Sequence, residues 1–191
     1  MMTIDESQAW RPELSGTSWD ILPFYRELAP KLPIGARCVE IGVAAGRSTL
    51  FLASELVCLG NVSARIYAVD PWEPDGLWPA ANWGKFASKE ELELVCALRV
   101  ESHVAARLFS RRTLDLVFVD GDHSYGGCAL DIASYMPLVK HGGIIAGHDY
   151  GDFEQRTFGG PTYPGVDRAV HELIGKDLVT IHGSVWEYKV P

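Results

Sequence analysis

A doubly wound α/β fold, its sheet mostly parallel and ended by a C-terminal antiparallel hairpin strand, is predicted by three features of the sequence. Four short runs, at 38–41, 66–69, 114–119 and 143–146, are almost wholly apolar, as strands covered by helices on both faces are. Helix-length segments lie between them, and that alternation implies parallel pairing through helical crossovers. Near the C-terminus only Gly183-Ser184 separates two candidate strands, 178–182 and 185–190. Two residues are too few for a parallel crossover, so that pair must turn back on itself.

The elements follow in order. The first strand, 38–41, runs into a glycine turn and then a helix over 47–59, whose apolar residues recur at helical spacing and which Gly60 stops. The second strand closes at Asp70. The segment 85–109 supports two registers: a helix over 90–99 with the third strand at 98–101, or a strand over 94–100. The fourth strand, 114–119, leads to a helix over 128–140, with His141-Gly142-Gly143 as its stop, and then to the fifth strand. A crossover helix over 166–174 precedes the hairpin. Two connections are long: 71–84 holds three tryptophans and 150–165 four aromatics. Both follow strand C-terminal ends, the edge where open α/β sheets bind ligands. They read either as lids over a site or, for the tryptophans, as caps on the core.

Composition narrows the class. A chain of 191 residues with 47% hydrophobic residues can bury a full core as one domain. It has no apolar run of about 18 residues, the length that a membrane span needs. The N-terminal MMTIDESQAWRPELSG lacks the layout of a signal peptide. Cys38, Cys58, Cys96 and Cys128 are far apart and form no C-x-x-C pair, which fits a reducing, cytoplasmic setting. A net charge of −8 argues against a nucleic-acid partner.

Four constellations carry chemistry. In Val39-Glu40-Ile41-Gly42-Val43-Ala44-Ala45-Gly46-Arg47-Ser48, the two glycines allow a sharp turn and close approach to a ligand, and Ser48 stands at a helix start. The glycine spacing is not the G-x-G-x-x-G of dinucleotide binders. Asp70, ending the second strand, could accept both hydroxyls of a ribose, or serve as a turn residue before Pro71. Asp120-Gly121-Asp122-His123-Ser124 ends the fourth strand and Gly147-His148-Asp149-Tyr150 the fifth. Asp120, His148 and Asp149 would then converge as ligands for a divalent metal ion, with His123 near enough to act as a base. Read more plainly, Asp122 and Ser124 cap the next helix, His123 is a surface residue and His148 a core histidine with satisfied hydrogen bonds.

Together these motifs resemble the class I S-adenosylmethionine-dependent methyltransferases. The likeness is to a small group with VEIG-x-x-x-G-R-S-T, VDGDHSY and GGIIAGHDY signatures that is related to the metal-dependent O-methyltransferases. The resemblance covers residues 19–190 and implies a Rossmann-like, seven-stranded sheet in a single domain at 19–191, with 1–18 as an N-terminal arm. It implies that Glu40, Gly42, Val43, Gly46 and Ser48 line the methionine and ribose part of S-adenosylmethionine. Asp70 would hold the ribose, with Trp72 and Ser102 near the adenine. In the relatives an acid after the fourth strand and two groups after the fifth hold the metal, and a Lys or His three residues beyond the first acid is the general base. Asp120, His148, Asp149 and His123 fall on those positions. Where relatives carry a carboxylate this chain has His148, an imidazole, which weakens the case for Mg2+ over other divalent cations. The expected reaction is O-methylation of a small hydroxylated acceptor, and self-association into a homo-oligomer remains open. Two other readings stand beside it. One is a non-catalytic cofactor- or partner-binding module with an aromatic interface around Trp72, Trp78, Trp83 and Tyr163. The other, a nicotinamide-dependent oxidoreductase, lacks its glycine motif.

Overall fold

The computed structural model describes residues 10, 11, 14, 20–72, 79–151 and 163–191. Seven strands form one sheet: β1 (Arg37–Ile41), β2 (Arg65–Asp70), β3 (Val95–Arg99), β4 (Leu114–Val119), β5 (Val139–Gly147), β6 (Thr180–His182) and β7 (Val185–Lys189). Their spatial order is β3-β2-β1-β4-β5-β7-β6. The first five pair in parallel, and β7 runs antiparallel to both β5 and β6. The antiparallel strand is therefore inserted beside β5, and its hairpin partner β6 takes the edge.

Alternation along the strands divides the core between two faces. Val39 and Ile41 of β1 point into the cluster formed with Ile132 and Tyr135 of α5 (Tyr125–Tyr135) and Val166 and Val170 of α6 (Pro164–Leu173). Cys38 points to the other face, where Leu22 and Phe24 of α1 (Ile21–Leu28) meet Phe51, Leu52 and Leu56 of α2 (Arg47–Cys58). The sequence reading assigned no element to α1, although Ile21, Leu22, Phe24, Tyr25 and Leu28 are all buried. Three described residues of the N-terminal segment also pack on this body. Trp10 meets Phe51 edge-on at 5.0 Å, Arg11 pairs with Glu91 at 2.8 Å, and Leu14 is buried.

Local signals set most boundaries. Helix α2 stops as expected, because Gly60 at φ +73° allows the Gly60 and Asn61 amides to reach back to Val57 and Leu56. In the ambiguous 85–109 segment, Ser88 and Glu91 make a reciprocal capping box that starts α3 (Lys89–Leu94). The chain extends immediately afterwards, and Val95 to Arg99 pair with Ile66 to Asp70. A helix over 90–99 is thus excluded. A short helix α4 (Ser102–Ala105) follows. The helix expected over 128–140 is also corrected, since α5 covers Tyr125–Tyr135 and β5 begins at Val139. Pro137, which cannot donate a helical hydrogen bond, lies in the 3-10 turn between them. All four cysteines are free, and no described helix is long and apolar enough to cross a membrane.

Candidate active site

Three backbone hydrogen bonds extend the parallel ladder past the strand ends and align the site. Gly42 N–H donates to Val69 O at 2.9 Å, Asp120 N–H to Ile41 O at 2.8 Å, and His148 N–H to Val119 O at 3.0 Å. The residues that follow β1, β2, β4 and β5 therefore share one rim. It lies where the strand order reverses between β1 and β4, the position at which such sheets bind ligands.

The β1–α2 turn is held tightly by the protein itself. Gly42 (φ +80°) and Gly46 (φ +89°) adopt the left-handed conformation, and Ala44 does so at +48°. A Cβ on Gly42 would overlap the Asp120 carbonyl, and one on Gly46 would meet the Trp83 ring. Both glycines are therefore in close contact with neighbouring parts of the chain on the side where a Cβ would project. Asp70 lies beneath the turn: Oδ2 accepts the amides of Val43 at 2.9 Å and Ala44 at 3.0 Å, and Oδ1 accepts that of Trp72 at 2.7 Å. A carboxylate offers about four acceptor positions, so the half-buried Asp70 retains room for a ligand hydroxyl. Trp72 and Trp83 are buried, and their indole N–H groups donate to Ala44 O and Ala45 O, both at 2.9 Å. In this structure the two tryptophans cap the core over the turn. Trp78 and residues 73–78 and 152–162 of the two long connections lie outside the described residues.

Glu40 and Ser48 sit deeper. Ser48 Oγ donates to Glu40 Oε1, and Tyr25 OH donates to Oε2 at 3.3 Å. Burial pushes Glu40 up to about 7, with the Ser48 hydrogen bond opposing the shift. A bound cationic group would favour its ionised form. Ser102 tethers the buried Asp131 through its hydroxyl, while its carbonyl accepts Tyr135 OH at 2.9 Å. Burial pushes Asp131 up to about 6. Sequence reasoning had no signal for Asp131, a lone acid within an apolar helix.

At the ends of β4 and β5 the imidazoles and carboxylates meet. His123 Nε2 lies 3.0 Å from Asp149 Oδ2 and 3.7 Å from Asp120 Oδ1. His148 Nδ1 lies 3.4 Å from Asp120 Oδ1 and 3.6 Å from Asp149 Oδ1. Asp149 holds a left-handed backbone at φ +61°, a conformation that costs energy and gathers at functional sites. The carboxylates of Asp120 and Asp149 push His123 up to about 9. Burial opposes a charge on His148, but Asp120 and Asp20 outweigh it and push the ring up to about 10. Ligand atoms of Asp120, His123 and Asp149 can be chosen within 4.8 Å of one another. This grouping brings His123 as close to the carboxylates as a metal ligand would be. Oxygen and imidazole donors together fit a first-row divalent cation better than one that demands oxygen alone.

The plainer reading holds for Ser124 as the helix cap, and Asp122 braces that cap without capping the helix itself. Ser124 caps α5, accepting from Gly127 N–H at 3.1 Å, and Asp122 accepts from Ser124 N–H at 2.8 Å. His123 is more than a surface residue, since its ring packs against Tyr163 with centroids 4.4 Å apart. Asp20 and Ser184, both in contact with His148, were not foreseen. One resembles a helix cap and the other a turn residue, and neither position signals a long-range contact.

One rim of the sheet thus joins a glycine turn, the acid that ends β2 and an acid–histidine cluster after β4 and β5. The family described as a methyltransferase domain matches residues 39–150, and the chain belongs to it. Several solved structures share the fold. A Corynebacterium glutamicum protein is 15% identical with a TM-score of 0.67, covering 98% of this chain and 88% of that one. The O-methyltransferase TomG of Streptomyces achromogenes, involved in tomaymycin synthesis and solved with S-adenosylmethionine, is 17% identical with a TM-score of 0.64, covering 98% and 89%. CalS11, a TDP-rhamnose 3′-O-methyltransferase of calicheamicin biosynthesis, is 14% identical with a TM-score of 0.64, covering 88% and 77%. No curated protein sequence matches the chain.

Proposed function

We propose that the chain is an O-methyltransferase for a small hydroxylated acceptor, assisted by a divalent cation, with residues 19–191 as the catalytic domain and 1–18 as an arm. The observation that carries this reading is the meeting of Asp120, His123, His148 and Asp149 on the same rim as the Gly42 turn and Asp70. CalS11, TomG and NovP, which share the fold, are O-methyltransferases, and that lends support to oxygen as the acceptor atom.

S-adenosylmethionine supplies an electrophilic sulfonium methyl group and leaves as S-adenosylhomocysteine. Asp70 accepts from the ribose. Glu40, beneath Gly42 and Val43, balances the charge of the methionine end, while Gly46 and Ser48 keep the turn and helix start in place. Trp72 and Ser102 border the adenine. The His123 imidazole receives the proton that the acceptor hydroxyl loses as its oxygen attacks the methyl carbon. Asp120 and Asp149 orient that imidazole. A divalent ion held by Asp120, Asp149 and His148 would lower the hydroxyl's pKa and take up the negative charge that now makes His123 so basic. With proton transfer provided for, the remaining contribution is alignment, worth roughly 7–11 kcal/mol in well-oriented systems.

Calorimetric titration with S-adenosylhomocysteine tests the cofactor half of the reading, and saturable one-to-one binding is expected. Asp70→Ala should weaken that binding roughly 10–100-fold, since hydrogen bonds to a charged group contribute about 1.5–3 kcal/mol. It also frees the Val43 and Ala44 amides from their acceptor. Unaltered binding by this variant would remove Asp70 from the cofactor site. Chelation tests the ion. Methyl transfer to a hydroxylated acceptor should fall after exhaustive dialysis against chelator and return with Mn2+ more fully than with Mg2+. Full activity in excess chelator would leave Asp120, His148 and Asp149 as polar lining.

A further inference from the structure

Behind the site lies a second polar cluster that reaches it through one ring. His148 Nε2 is 2.9 Å from Asp20 Oδ1 and 3.0 Å from Ser184 Oγ. Ser184 donates both its backbone N–H, at 3.0 Å, and its hydroxyl to Asp20 Oδ2. The side chains of Asp20 and His148 are only 7% and 10% exposed, and Ser184 is buried. Asp20 precedes α1, yet its side chain caps none of that helix's amides. Its carboxylate is committed to the hairpin turn and to the end of β5 instead. Burying a carboxylate is costly unless hydrogen bonds satisfy it, and here both oxygens are satisfied by groups that converge on one imidazole. With Nε2 taken, the ring presents Nδ1 to Asp120 Oδ1 at 3.4 Å and Asp149 Oδ1 at 3.6 Å.

We propose that Asp20, braced by Ser184, is a positioning residue of the active site: it holds Nε2–H of His148 and so turns Nδ1 towards Asp120 and Asp149. The consequence for an ion rests on the metal-assisted reading above. Ligand histidines characteristically donate their other ring N–H to a carboxylate or carbonyl, and loss of that partner costs about 10–100-fold in metal affinity. Nδ1 is then the nitrogen whose lone pair an ion can take, its proton leaving to solvent while Nε2 keeps its own on Asp20.

Three readouts test the proposal: Mn2+ affinity by electron paramagnetic resonance without acceptor, the 15N resonances of the His148 ring in metal-free protein, and S-adenosylhomocysteine affinity. Asp20→Ala should weaken Mn2+ roughly 10–100-fold and shift the Nε2 resonance, with S-adenosylhomocysteine affinity unchanged. Asp20→Asn keeps an acceptor oxygen and should recover most of the ring signal. Ser184→Ala leaves Asp20 in place and should show a smaller loss in the same direction, which keeps the test available if Asp20→Ala does not fold. Mn2+ affinity that neither Asp20→Ala nor Ser184→Ala changes, in a protein whose wild type binds the ion, overturns the proposal. A wild type that binds no Mn2+ overturns the metal-assisted reading instead. The clamp is then judged on the ring alone, and an Nε2 resonance indifferent to Asp20 overturns it.

Discussion

Gly42→Ala is expected to cost about 2–5 kcal/mol of stability and to abolish measurable binding of S-adenosylhomocysteine. Two effects add. The left-handed backbone at φ +80° costs a residue with a Cβ roughly 1–2 kcal/mol. The new methyl group would also overlap the Asp120 carbonyl, and no flexible side chain can move aside there, because the obstructing atom is backbone. Overpacking of this kind typically costs about 1–3 kcal/mol. Relief requires β1 and β4 to separate at their ends, against the Asp120 N–H to Ile41 O bond of 2.8 Å, which displaces Asp120 as well as the turn. For a chain of this length each kcal/mol shifts the melting temperature by roughly 2–4 °C, so thermal denaturation beside calorimetry measures both consequences. Gly126→Ala is the control. That position is exposed on α5 with open space around its Cβ, and the change should be neutral or stabilising by up to about 1 kcal/mol. A Gly42→Ala protein that melts and binds like wild type would refute the account of the turn.

His123→Ala is expected to lower turnover roughly 100-fold or more, the usual scale of a general base, while leaving S-adenosylhomocysteine affinity within a few fold. The separation follows from placement: His123 contacts Asp120, Asp149 and Tyr163, whereas Glu40, Gly42, Val43 and Asp70, proposed for the cofactor, lie on or just after β1 and β2. Truncation also leaves the Asp120 and Asp149 carboxylates without one of their two facing imidazoles. Measuring kcat, KM and thermal stability on the same variant distinguishes a lost base from a loosened site. Unchanged turnover with a good acceptor would exclude His123 from proton transfer.

Much of the site was legible because strand ends are. Short, almost wholly apolar runs located β1, β2 and β4, and the parallel rule then assigned Gly42, Asp70 and Asp120 to a common edge. The hairpin at Gly183-Ser184 was equally readable, since loop length alone forbids a crossover. Boundaries failed where two periodicities overlap. Leu138 and Val139 continue the apolar spacing of α5, and only the extended chain after the Pro137 turn turned Val139 into the first residue of β5. The third strand was ambiguous for the same reason, until the Ser88–Glu91 box fixed where α3 begins.

The sequence by itself determined the fold class, the rim on which chemistry is gathered, and the residue types delivered there. These follow from dihedral preference, hydrophobic period and connection length, all of which act over a few residues. The tertiary structure alone decided the partners. It set Asp70 against the amides of Val43 and Ala44, laid Trp72 and Trp83 over the same turn, and brought Asp20 to His148 across 128 positions of chain. Contacts at such separation depend on how the packed elements fit together, and that fit leaves no periodic trace in the sequence of either partner.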